Sequence, residues 1–315
     1  MSRLVVTGAS GFVGGAVARA AVRAGWEVVT TSRRAAGVPG APHVTWDLTA
    51  PPGAEVARAL ADADVVVHAA AWVGDGGPLD RVRAVTVDGT RAVLEATGAA
   101  RVVHVSSASV YDPRRPSVLA REHEAPVDRY LDAYAEAKAD AERVVLAAAA
   151  RRDVVVLRPH AVYGPGDTTL LPRVLGAVRG DRLLLPGGGD VRQHLTAVGT
   201  LAEAALAAAT VPLAAGTALV ANVADAEPVV LRDALAALLA ERGLPVRVVP
   251  VPARLALAAA VVGEALHRLP GVPAPRLTRY ALSHLLHERT YDLTVLRGVL
   301  GVAPRPTSFA GADAW

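Results

Sequence analysis

The chain has 315 residues, 52% of them apolar, and 33 basic against 30 acidic side chains give a net charge of +3. That length exceeds what one core usually supports, so one large domain with a smaller attached part is expected, and the near balance of charge offers no general attraction for nucleic acid. The absence of cysteine excludes disulfides, thiolate metal sites and cysteine nucleophiles, and no metal site is expected.

In chain order, Arg3–Thr7 reads as a first strand, too short in its apolar run for a signal peptide. It leads into Gly8-Ala9-Ser10-Gly11-Phe12-Val13-Gly14 and a helical stretch, Phe12–Ala24. Glu27–Thr31 is a second strand, followed by Ser32-Arg33-Arg34, and Asp47-Leu48 follows a third short one. A helix over Ala54–Ala61 precedes the strand Asp64–Ala69, which runs into Ala70-Ala71. Further helices are expected over Leu79–Thr97 and Leu131–Ala150, and further strands over Arg101–Ser106 and Asp153–Arg158. These strands are rich in valine and nearly continuous in apolar character, as parallel strands buried on both faces are. Their alternation with helices predicts an α/β fold with a doubly wound parallel sheet, the Rossmann arrangement.

After Arg158 the pattern loosens. Gly164–Gly166 and Pro186–Gly189 read as loops. Ala197–Ala209 and Leu231–Arg242 read as helices, and Thr217–Val223 and Val246–Val249 as strands. Pro252 to Trp315 is expected to be mostly helical, punctuated by prolines 270, 273 and 275, with a frayed end over the last ten residues. The expected division is a dinucleotide-binding domain over 1–160 with parts of 190–225, and a smaller, mostly helical substrate-binding part over 161–190 and 226–315. No apolar stretch approaches the ~18 residues of a membrane span, so a cytoplasmic protein is expected.

The glycine turn carries the first chemical signal. Backbone N–H groups at a helix start are unpaired donors at the positive end of the dipole, and glycine lets a pyrophosphate approach them. A strand before and a helix after give the pattern its proper context. No carboxylate follows the second strand to bond a ribose 2′-hydroxyl. Arg33 and Arg34 stand there instead, with donors suited to a 2′-phosphate, and Ser32 can add a hydroxyl contact. NADP(H) is therefore the favoured cofactor over NAD(H).

Tyr134 and Lys138 carry the second signal, because a spacing of four puts them on one helix face. A free phenol titrates near ~10, and a nearby ammonium makes it a better base at neutral pH. Lys138 is the one lysine among the basic residues, and of six tyrosines Tyr134 alone has a lysine four positions on. Chance would place it so about 2% of the time. The third member of such a site is a hydroxyl that bonds the substrate oxygen, and Ser106, Ser107 and Ser109 follow the fifth strand at the carboxyl edge where ligands bind.

Gly8, Gly11 and Gly14 in this spacing resemble the TGxxGxxG loop of the short-chain dehydrogenase/reductase superfamily, particularly its extended branch. Ser106-Ser107-Ala108-Ser109-Val110-Tyr111 resembles its SSxxVY segment, Val87–Thr90 its NVxGT helix start, and Arg158–Asp167 its RPxxVYGPGD segment. The resemblance implies that Ser107, Tyr134 and Lys138 are catalytic. It implies that Asp47 and Leu48 lie beside the adenine, that Ala69, Ala70 and Ala71 pass under the cofactor, and that Thr86, Pro159 and Val162 border it. Ser10, Phe12 and Val13 belong to the phosphate loop on the same basis. Thr86 stands where the family usually has asparagine, which puts the usual proton relay in question.

His194–Val198 and Tyr291–Gly301 resemble the 3β-hydroxysteroid dehydrogenase-like members, which act on hydrophobic alcohols and ketones. The expectation is a hydrophobic small-molecule substrate, with Leu255–Val262 and Ala281–Leu286 as candidate pocket walls and His160 and His194 as candidate contacts. A homodimer through Leu79–Thr97 and Leu131–Ala150 is implied by analogy. The alternatives are a sugar-nucleotide epimerase or dehydratase with the same three residues, and a cofactor-binding sensor without turnover.

Overall fold

The computed structural model describes residues 2–74, 77–214, 216–267, 269, 272–273, 275 and 277–315, so Pro270 lies outside the described residues. Its centre is a seven-stranded sheet. Six of its strands are β1 (Arg3–Thr7), β2 (Glu27–Ser32), β3 (His43–Thr45), β4 (Val65–His68), β5 (Arg101–Val105) and, after a separate strand β6 (Ser117–Ala120), β7 (Val154–Pro159). The seventh is Ala218–Val223, and the order across the sheet is that strand, β7, β5, β4, β1, β2, β3. Every pairing is parallel. The order reverses direction between β1 and β4, which is where doubly wound sheets open a crevice at the carboxyl edge.

The strands are apolar on both faces because both are covered. Leu4, Val5 and Val6 of β1 are fully buried, alternating between two cores. On one face pack α1 (Phe12–Arg23) and the helix Val198–Thr210; on the other pack α2 (Ala54–Ala61), α4 (Gly89–Ala96) and α5 (Ala133–Ala147). The expected helix over 79–97 is three joined pieces: α3 (Leu79–Arg83), a π-helical turn over Ala84–Asp88, and α4. Asp132 caps α5 by accepting the Ala135 N–H at 2.9 Å, so the helix starts two residues later than expected.

Beyond Arg158 the helices Leu231–Glu241, Ala253–His267, Arg279–Leu286 and Thr294–Gly298 dominate. They are joined by short strands, of which the sequence pattern announces Arg247–Val251, expected over Val246–Val249, and not the others. Val229–Val230, Arg192–Gln193, Arg289–Tyr291 and β6 form one four-stranded sheet, and Val178–Arg179, Arg182–Pro186 and Arg247–Val251 form another of three. Val178–Arg179, Arg192–Gln193, Val229–Val230 and Arg289–Tyr291, at two or three residues, are too short to show periodicity. The terminal segment does not fray: Trp315 packs on Tyr163 and Phe309, and Arg242 donates to the Ala312 carbonyl. On the helix Ala253–His267 the inward residues are Ala256 and Ala260, packed on Leu282. Leu255, Leu257, Val261 and Val262 are exposed, so that stretch turns these apolar residues to solvent rather than to the core.

Buried histidines tie the second part to the sheet. The His160 N–H donates to Thr196 Oγ1 at 3.1 Å, and its ring shares a 3.0 Å hydrogen bond with Gln193, whose amide donates to the His284 and His287 carbonyls. His194 Nδ1 accepts the Tyr291 N–H at 3.0 Å. Both rings are more than nine-tenths buried and have structural partners, so their candidate role as substrate contacts gives way to packing.

Burial pushes His160 and His194 down to about 4, and His68 on β4 to about 3, with nearby cations adding to the effect. Below pH ~6.5 the unfolded chain takes up protons that these folded rings refuse, so stability falls as pH drops through that window toward 4. Each ring contributes a slope of about 1.4 kcal/mol per pH unit. Guanidinium chloride midpoints are expected to decline steadily from pH 7 to pH 5. A flat midpoint across that interval would contradict this account.

Candidate active site

The glycine turn is shaped by close backbone approach. Gly8 adopts φ +74°, and a Cβ there would lie 2.7 Å from the Ala70 backbone, so the end of β4 sits directly against the loop. A Cβ on Gly14 would come 2.3 Å from the Gly8 carbonyl oxygen, which is why α1 can begin flush against the turn. The Gly8 N–H donates to Thr31 O at 2.8 Å and the Gly11 N–H to Gly8 O at 2.9 Å. Gly11 caps α1 without a side-chain hydrogen bond. The first-turn N–H groups over Phe12, Val13 and Gly14 have no intrahelical acceptor by geometry, which leaves them as donors for an anion. The cradle fits a dinucleotide pyrophosphate.

Ser32 has a structural task. Its hydroxyl accepts the Ser10 N–H at 3.3 Å and donates to Arg34 O at 2.6 Å, tying the phosphate loop to the end of β2. Arg33 and Arg34 follow on the surface. The Thr49 N–H and hydroxyl both donate to Asp47 and hold its carboxyl below the usual range, with the charge of Arg33 helping. Leu48 lies against Gly89, where a Cβ would meet its own Cβ at 2.8 Å.

Ala69, Ala70 and Ala71 are half-buried along the crevice. Beneath them His68 runs a chain of hydrogen bonds whose directions are fixed. Thr90 donates to Thr86 O at 2.5 Å, so Thr90 accepts from His68 Nε2–H at 2.9 Å. Nδ1 is therefore bare and accepts the Thr7 hydroxyl at 2.7 Å, while Thr7 accepts the Ala70 N–H at 3.4 Å. His68 is a neutral strut between β1, β4 and α4. Thr86 sits in the π-helical turn, and its hydroxyl accepts the Trp72 N–H at 3.1 Å.

Tyr134 and Lys138 lie one turn apart on α5, Tyr134 half-buried and Lys138 only 4% exposed. The Lys138 ammonium donates to the Val105 carbonyl at 2.7 Å, two residues before Ser107. Burial pulls its pKa down to about 8 against the opposing charge of Glu142. One turn further along α5, Glu142 is fully buried; it accepts from Ser106 at 2.6 Å and from Arg158 at 2.5 Å. Arg158 also donates to the Glu122 and Ala125 carbonyls, so β5, β7, α5 and the 122–126 segment are latched together. Buried charge left unpaired costs several kcal/mol, so this latch fixes the helix against the strand.

The three serines are now distinguishable. The Ser106 hydroxyl is committed to Glu142, and Ser109 is buried. Ser107 is half-buried at the sheet edge and accepts the Ser109 N–H at 3.1 Å, a contact that does not use its own proton. Tyr111 is not part of that chemistry: it donates to Asn222 at 2.8 Å, and burial pushes it up to about 12. Pro159 ends β7 at the same edge, and Val162 pairs with Thr196 just beyond. Glu142 is the residue that sequence reasoning missed. Its signal was present, since it continues the four-residue spacing from Tyr134 and Lys138.

The chain matches the model of the NAD dependent epimerase/dehydratase family over residues 4–224. A 2-alkyl-3-oxoalkanoate reductase of Stenotrophomonas maltophilia (strain K279a) is 32% identical over 96% of this chain and 95% of its own length. A 3-beta-hydroxysteroid dehydrogenase of Mycolicibacterium neoaurum is 27% identical over 96% of this chain and 87% of its own. Among solved structures, MoeE5 in complex with UDP-glucose and NAD superposes with a TM-score of 0.75 at 25% identity, covering 100% of this chain and 97% of that one. The glycine cradle, the all-parallel sheet and these relatives agree: the chain belongs to the NAD dependent epimerase/dehydratase family, and it is an enzyme of the extended short-chain dehydrogenase/reductase type.

Proposed function

We propose that this enzyme interconverts a ketone, or an aldehyde, and an alcohol on a hydrophobic small molecule, with NADP(H) as the favoured cofactor. The observation that carries the reading is the buried Lys138 ammonium held on β5 and on one helix face with Tyr134. When bound, the nicotinamide supplies or takes the hydride. Ser107 donates a hydrogen bond to the carbonyl oxygen and orients it. Tyr134 gives its phenolic proton to that oxygen in reduction and takes it back in oxidation. The Lys138 charge stabilises the phenolate that results. Glu142 and Arg158 keep Lys138 in register.

Two relatives support a hydrophobic substrate through their names, one an alkyl oxoalkanoate reductase and one a hydroxysteroid dehydrogenase. The core of Val174, Leu183, Leu185, Leu231, Leu235 and Leu239 lies outside the two sheet cores, and we assign it to the substrate-binding part. Likeness to a UDP-glucose complex favours the second reading, a sugar-nucleotide epimerase or dehydratase that retains its cofactor. The homodimer through α5 and the 79–97 helices remains part of the proposal, carried by family analogy.

Two measurements test this. Tyr134→Phe should lower kcat by about 10²–10⁴-fold while leaving the cofactor Kd within about twofold; near-full turnover would refute the assignment. The wild type should prefer NADPH, and Arg33→Asp should cut kcat/KM for NADPH by roughly tenfold or more while sparing NADH. Equal use of both cofactors by the wild type would remove the NADP preference.

A further inference from the structure

His104 is a buried polar residue that the mechanism above does not use. It lies on β5 directly before Val105, the residue whose carbonyl accepts the Lys138 ammonium. It is 1% exposed, and neither ring nitrogen has a hydrogen-bond partner among the described residues. An imidazole buried with both nitrogens unpaired carries a desolvation penalty, and such groups in native interiors have a reason.

The neighbours do not relieve it. The His68 ring is 5.4 Å away between centroids, but its nitrogens are committed to Thr7 and Thr90. Ser106 is committed to Glu142. An ammonium, by contrast, has three N–H donors, and Val105 takes one from Lys138. Unpaired acceptor capacity on His104 and further donor capacity on Lys138, held at Val105, therefore lie at adjoining residues at one end of β5. The charge of Lys138 also acts on the His104 ring and, with burial, keeps it neutral, so that one nitrogen is a bare acceptor.

We propose that His104 is a positioning residue for Lys138: its bare ring nitrogen accepts an ammonium N–H through one shared water. The shared water has a donor on one side and an acceptor on the other, which suits a buried site. Charged and titratable groups around this pair are Tyr134 and Glu142 on α5, His68 on β4 and Arg158 on β7, which neutralises Glu142. The catalytic consequence rests on the reading of Lys138 given above. The coupling of the two side chains does not.

Because Lys138 is the one lysine, side-chain-labelled lysine gives one ammonium resonance in NMR. In the full chain without substrate, His104→Phe removes the acceptor and should lower the ammonium's titration midpoint by about half a unit or more, and His104→Gln should restore most of it. His104→Leu gives the same comparison should the phenyl ring not fit. Ketone-reduction kcat should fall about tenfold in the apolar variants with substrate KM within about twofold, and recover with glutamine. An unshifted ammonium in the apolar variants overturns the proposal whatever happens to turnover. A shifted ammonium with unchanged turnover upholds the coupling and instead overturns the proton-transfer role of Lys138.

Discussion

The contact on which the site depends is a single charged hydrogen bond, from the Lys138 ammonium to the Val105 carbonyl. It holds α5 against the end of β5, with Tyr134 one turn before Lys138 on the same helix. A fully buried ammonium is costly unless its charge is balanced and its donors are satisfied. Glu142 on the next turn balances it, and Arg158 balances Glu142 in turn. Removing either partner would leave a charge stranded inside the protein. The helix, two strands and the 122–126 segment are thus held in one relative placement by electrostatics as well as by packing.

The same sheet edge brings two chemistries together. Thr7 ends β1 at the phosphate cradle and, through His68, is joined to Thr90 and so to the π-helical turn. Val105 ends β5 beside the serine segment. Between them runs β4, whose following alanines are small enough to let the Gly8 loop touch the Ala70 backbone. The crevice is therefore walled by backbone beside the glycine turn and by side chains beside the serine segment.

Much of this was legible in the sequence. The valine-rich runs mark β1, β2, β4, β5 and β7 to within a residue or two, because a strand buried on both faces needs continuous apolar character. The glycine turn and the Tyr134–Lys138 spacing are local patterns, readable without any tertiary knowledge. What was hidden depends on distant partners. Nothing in the local sequence says that Ser106 will be held by Glu142 and Ser107 left to donate, or that His160 and His194 will be packed beneath the second part. Strands such as Arg192–Gln193 exist because Arg289–Tyr291 and Val229–Val230 pass on either side, and two residues have no period to read. Which face of Ala253–His267 turns inward was not legible either, since an alanine-rich helix can bury either side.

One further result follows from the lysine's solitude. Every other basic side chain, histidine apart, is a guanidinium, and guanidinium stays protonated far above physiological alkalinity. As a solution is made mildly alkaline, the exterior keeps its cationic pattern while the interior ammonium is the side-chain cation that discharges. Alkaline solvent thus addresses the crevice while leaving the outer electrostatic field nearly untouched, a separation that lysine-rich chains lack.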